Sequence, residues 1–234
     1  MLRKQFEYLA DTFSGINKRS KEKLMNEKNL FNDIGIVSCG ILKPEIDRLL
    51  EEGFFDAEKV IFTAPGLHEW PWELETQLPR GLEKAKKYFR KTIVLYGERC
   101  FLDSKNPLRV TETLIHEVNP QAVRINATTC VNMLVGADQR EKLAGENKVY
   151  WLTPGWIKNW NFIFKDWDKG KANEMFPNHD KAVVLDALGY FDSLMQESPE
   201  EILRISDWMN LPLESSKITF DHFKKLLIDA AAKS

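Results

Sequence analysis

Short apolar runs recur along the chain, each followed by a turn and then by apolar positions three and four residues apart. Such runs predict buried strands, and the three–four spacing predicts amphipathic helices. The clearest unit extends from Asp33 to Glu45. Ile34, Ile36 and Val37 form its strand, and Cys39 stands at the carboxyl tip. Gly40 permits a tight turn, and Pro44 suits the first turn of a helix carrying Ile46, Leu49 and Leu50. That helix reaches Glu52, with Gly53 as its C-cap. The same pattern predicts strands over 60–63, 93–95, 123–125, 149–153, 182–186 and 217–220. Helices are predicted over 2–29, 74–89 and 107–118, the last with Asn106 as N-cap. Another follows Thr128 and carries Val131, Leu134 and Val135, with Gly136 ending its first part. Ser198 caps a helix over 199–209, and Phe223, Leu226 and Leu227 mark a C-terminal one.

Strand and helix therefore alternate about seven times, the signature of an α/β fold. The expected architecture is a mostly parallel sheet with helices on both faces, built from βα units. An N-terminal helix over residues 1–30 precedes a single α/β domain over residues 31–234. The chain is 43% hydrophobic and 29% charged, an ordinary balance for a globular protein. Its net charge of −2 lacks the basic footprint of a nucleic-acid binder. No apolar run approaches the ~18 residues of a membrane span. The N-terminus is polar and charged rather than a signal peptide, so cytoplasmic residence is expected.

The cysteines change the picture. The chain has three, Cys39, Cys100 and Cys130, and each comes just after a predicted strand. In open α/β sheets, sites lie beyond the carboxyl ends of the strands. His68, in the loop of residues 64–72, falls at the same edge. Three thiolates with one open position can hold a [4Fe–4S] cluster whose fourth iron is free for a small-molecule substrate. Zinc held by the same thiolates and His68 would be a closed site; with one displaceable ligand it would activate a thiol or water. A Cys–His nucleophile pair would leave the other cysteines unexplained. The competing structural reading is that free cysteines act as small buried hydrophobes. Asp186, at another strand tip, is either an anchor or a polar member of the site. The aromatic segment with Trp156, Trp160, Phe162, Phe164 and Trp167 reads as core or lid.

The residues at these tips resemble a known family. The matching pieces are Ser38-Cys39-Gly40-Ile41-Leu42-Lys43-Pro44-Glu45, Gly66-Leu67-His68 before Pro71, and Tyr96-Gly97 with Cys100. Thr129-Cys130 leading to Leu134-Val135-Gly136, Tyr150-Trp151-Leu152-Thr153-Pro154-Gly155-Trp156, and Met175-Phe176 complete the set. Together, over roughly residues 33–190, they resemble the prokaryotic, methanogen-associated domain of unknown function 1638. In that family the second cysteine stands closer to Tyr-Gly and an acidic residue precedes the third; here Glu98-Arg99 intervene and Thr129 precedes Cys130. The resemblance implies that the three cysteines share one site and that His68 belongs to it, as ligand or proton donor. It also implies a link to corrinoid methyl-transfer systems and one-carbon metabolism. Three functions are therefore expected. The first is a metal-dependent enzyme with an open [4Fe–4S] cluster on Cys39, Cys100 and Cys130, with His68 as catalytic proton donor or fourth ligand. The second is a zinc-thiolate methyltransferase linked to corrinoid. The third is a non-catalytic partner or chaperone of a corrinoid protein or methyltransferase.

Overall fold

The computed structural model describes residues 29–56, 59–176 and 178–234. The helix expected over 2–29 lies almost wholly outside the described residues. β1 (Ile34–Cys39) enters a four-stranded parallel sheet with β2 (Val60–Thr63), β3 (Lys91–Leu95) and β4 (Val123–Arg124), in the order β2-β1-β3-β4. After β1 the chain adds β2 on one side, then crosses to add β3 on the other. This makes a topological switch point, and the crevice beyond β1 and β3 is where such folds place ligands.

Both faces of this sheet are covered, as the uninterrupted apolar strands require. Ile34, Ile36, Ile93 and Leu95 pack with Leu42, Ile46 and Leu49 of the segment leading through α1 (Lys43–Glu51). Val37 and Val94 point the other way, onto Leu74, Leu78 and Leu82 of α2 (Pro71–Tyr88) and Leu114 of α3 (Thr111–Val118).

The remaining strands do not extend that sheet. β5 (Val149–Leu152), β6 (Lys181–Asp186) and β7 (Leu213–Lys217) form a second parallel sheet in the order β5-β6-β7. β4 pairs through Val123 and Arg124 alone. The Arg124 side chain then donates to the carbonyls of Ile125 and Ala127. Between β4 and β5 run α4 (Cys130–Leu134) and α5 (Ala137–Ala144). The two sheets share their layers: Leu152 and Val184 join the Val37 core, and Leu185 joins the Ile36 core. The seam is a backbone contact. α6 (Pro154–Lys158) packs on the turn Gly40–Leu42 and on α1. A Cβ on Gly155 would lie 1.8 Å from the Ile41 carbonyl oxygen.

Several elements differ from the sequence expectation, among them the helices Pro154–Lys158, Trp160–Ile163 and Lys169–Met175 in the aromatic segment and the stretch after it. Asn106-Pro107 forms a turn, in which Asp103 Oδ1 accepts from the Lys105 and Asn106 amides and the Asn106 carbonyl from Arg109. Arg109 then pairs with Glu75, Asp103 and Glu117, and α3 starts only at Thr111. The last strand is Leu213–Lys217, not 217–220, because Leu213 to Lys217 pair with Ala182 to Asp186 while Thr219 bonds Asp221 at the next helix. A helix over Tyr190–Glu197 had no local cap to announce it: Asp186 accepts from the amides of Leu188 and Phe191, each at 2.8 Å. Asp186 is thus an anchor. Among the described residues no helix is long and apolar enough to cross a membrane.

The seam can be tested. Gly155→Ala should lower stability by about 3 kcal/mol, because the facing atom is backbone and cannot swing away. Gly53, with φ of 71° and nothing within 4 Å, should lose only about 1 kcal/mol on the same change. Equal urea midpoints for the two variants would refute the seam.

Candidate functional site

The four strand tips of the first sheet carry the sequence candidates in spatial order. His68 follows β2, Cys39 ends β1, Cys100 closes the turn Glu98–Cys100 after β3, and Cys130 opens α4 after β4. The loops bearing Cys100 and Cys130 are tied together. Glu98 and Arg99 donate their amides to the carbonyls of Ala127 and Thr128, at 3.0 and 3.1 Å. Gly97 allows this approach, since a Cβ there would lie 2.3 Å from the Thr128 oxygen. Thr129, not Thr128, caps α4, accepting from the Asn132 amide.

The thiols converge. Cys130 and Cys39 both oppose ionisation of Cys100, and Cys39 opposes that of Cys130. Each sulfur also meets hydrogen-bond donors. The amides of Ile41, Gly66 and Leu67 and the Tyr96 hydroxyl are turned to Cys39. The Gly97 amide donates to Cys100 Sγ at 3.2 Å. The Trp156 indole and the Val131 amide serve Cys130. These donors favour thiolate, but burial outweighs them. The Cys39 and Cys100 thiols are pushed up, and Cys130 is pushed up to about 12. Without an added positive charge, all three are neutral thiols at pH 7. Among the described residues, no three His, Cys, Asp or Glu side chains gather closely enough to hold one metal ion.

Glu45 was not a sequence candidate, yet it lies here. Its residue is fully buried and both carboxylate oxygens lack a partner. Burial, followed by the nearby charges of Asp186 and Asp47, pushes its pKa up to about 8. In turn its charge opposes ionisation of Cys130. One signal in the sequence marked it. Leu42, Glu45, Ile46 and Leu49 occupy a single apolar stripe of helical spacing, with a carboxylate inside it. Thr153 Oγ1, at the N-cap of α6, is also buried without a partner.

His68 sits at the rim. Its side chain is 36% exposed, with Nε2 3.5 Å from Glu69 Oε1. The ring meets Trp156 edge-on at 5.4 Å. Apolar surroundings pull its pKa below the ordinary imidazole value, and the exposed third moderates that shift. A thiolate–imidazolium pair needs the opposite shifts on both partners. Trp156 joins the two ends of the site, contacting His68 and donating to Cys130. Trp160, Phe164 and Phe176 continue it as buried core, with Trp208 against them.

The family model described as a protein of unknown function, DUF1638, matches residues 62–227. The chain belongs to that family. The matched span holds His68, Cys100 and Cys130; Cys39 and Glu45 precede it. No curated protein and no solved structure matches the chain.

Two measurements test the electrostatics of the DUF1638 chain without metal. Iodoacetamide at pH 8 should label the folded protein's cysteines at least ~10-fold more slowly than in urea, because buried neutral thiols react poorly. Equal rates would contradict the burial. For Glu45, the folded pKa lies above the unfolded one. The stability it contributes is complete below about pH 4.5 and is lost as pH rises towards about 8. The loss is at most about 1.4 kcal/mol per pH unit. Glu45→Gln should flatten that part of the stability profile; an unchanged slope would place the proton elsewhere.

Proposed function

We propose that this protein is a metal-dependent enzyme holding a [4Fe–4S] cluster through Cys39, Cys100 and Cys130. One observation supports this above the rest: three thiols whose charges act on one another, each with N–H or O–H donors beside it. Thiolates on one tetrahedral zinc, at about 2.3 Å from the metal, would lie within about 4 Å of one another. A cluster gives each thiolate its own iron and does not require that closeness. N–H donors to sulfur are also what sets the potential of such centres. The donor chemistry therefore fits an iron–sulfur cluster better than zinc.

When bound, the cluster would supply a Lewis-acidic iron open to a small substrate. The chain's residues would do the rest. The three cysteines would bind as thiolates, their protons released to water. Trp156 fixes Cys130 and keeps water from that side. His68, neutral at pH 7 and partly exposed, takes or gives a proton at the rim. A role in one-carbon or methyl-group metabolism, with a corrinoid protein or methyltransferase as partner, extends this reading. Trp72, Leu102 and Leu108 favour a partner: they are exposed apolar side chains on the elements that follow the His68 and Cys100 tips.

Metal and sulfide analysis on protein prepared without oxygen tests the proposal. About four irons and four sulfides per chain are expected, falling sharply in each Cys→Ser variant. One zinc per chain would move the reading to thiol activation linked to corrinoid. Variants that keep the full metal content, or no metal uptake on reconstitution, would overturn it and leave the non-catalytic partner.

A further inference from the structure

We propose that Glu45 is the fourth protein group of this centre, covering the iron the three thiolates leave free until a substrate displaces its carboxylate. The inference rests on the cluster reading and deepens it. Glu45 occupies the buried stripe of α1, one turn beyond the segment that carries Cys39. Both its oxygens are buried and unpartnered. Leaving such a group unsatisfied costs about 1–3 kcal/mol, so an isolated chain has little reason to keep it there. The charges acting on it are those of Asp186 and Asp47, with no cation among them. Its charge also reaches Cys130, whose ionisation it opposes. A buried carboxyl among acids and thiols is incomplete without a positive charge, and a metal centre supplies one.

His68, the sequence candidate for this role, is placed differently. It is at the rim, packed edge-on against Trp156, with Nε2 facing Glu69. Glu45 has no such contacts to give up. A single carboxylate is a harder and weaker iron ligand than thiolate, which suits a position that a substrate must take over. Thr153 Oγ1 is the second unpartnered buried oxygen, on the segment leading into α6, which packs against α1. It provides a hydrogen-bonding group for what displaces the carboxylate.

The test loads the full-length wild type, Glu45→Gln, Glu45→Asp and His68→Ala with ferrous iron and sulfide in the absence of oxygen. Ferricyanide is then added. It removes one electron per cluster, the least-held iron leaves as Fe2+, and a three-iron cluster remains, detected by electron paramagnetic resonance. Glu45→Gln should lose that iron several-fold faster than wild type, with Glu45→Asp between them and His68→Ala unchanged. A Glu45→Gln chain that melts normally but takes up no cluster would also support the assignment. Loss at the wild-type rate in both Glu45 variants would overturn it and leave the cluster reading standing. Absence of iron and sulfide from the wild type would overturn both. If Glu45→Gln fails to fold, the Glu45→Asp rate decides alone.

Discussion

Everything at the thiol edge depends on one backbone contact, the seating of Gly155 on the Ile41 carbonyl. The first sheet alone would bring its cysteines to one edge, but that edge would be open to water. Docking α6 on the turn after Cys39 brings Trp156 over the thiols, and with it the aromatic core of the second sheet. The same contact explains why strand tips with few polar neighbours are nevertheless buried. A side chain at position 155 would hold the halves apart and hydrate Cys39, Cys130 and Glu45 together. Packing and electrostatics are therefore one problem here, since the seam sets the dielectric in which the site's acids titrate.

That dielectric gives the site its character. Three thiols and a carboxyl share a region where burial dominates, and the Arg124 guanidinium acts on Cys100. Burial and mutual repulsion keep the group protonated. Its N–H and O–H donors are nevertheless arranged for anionic sulfur, most of them around Cys39. The two tendencies conflict in the chain by itself. They agree once a multiply charged metal centre is present, because its charge removes the protons and the donors then face thiolates. Simple hydrophobic packing of cysteines needs no amides near the sulfurs, and those amides are what the proposed metal centre would use.

The α/β class and most strands were legible because buried parallel strands write continuous apolar runs. The thiol edge was legible for a related reason: a parallel sheet places all its strand ends on one side, so three cysteines after three strands had to share an edge. What stayed hidden depended on contacts distant in sequence. The helix over Tyr190–Glu197 takes its cap from Asp186, a strand residue. The start of α3 is set by the pairing of Arg109 with Glu75, 34 residues earlier. Glu45 was visible as a glutamate in a helix's first turn, a position ordinarily explained by the helix dipole. Only its place in the stripe with Leu42, Ile46 and Leu49 separated it from that explanation.

The strand order assigns a role to each tip. Cys39 and Cys100 flank the switch point between β1 and β3, the crevice the topology itself opens. Cys130 lies one strand further and is joined to them by the backbone bonds of Gly97's turn. His68 lies one strand to the other side, on an edge strand, which explains its exposure. His68 is the exposed end of this edge, Cys39 on the neighbouring strand is buried, and Cys100 and Cys130 are half-buried. The exposed histidine and the buried first cysteine follow from their strands' places, one at the edge of the order β2-β1-β3-β4 and one inside it.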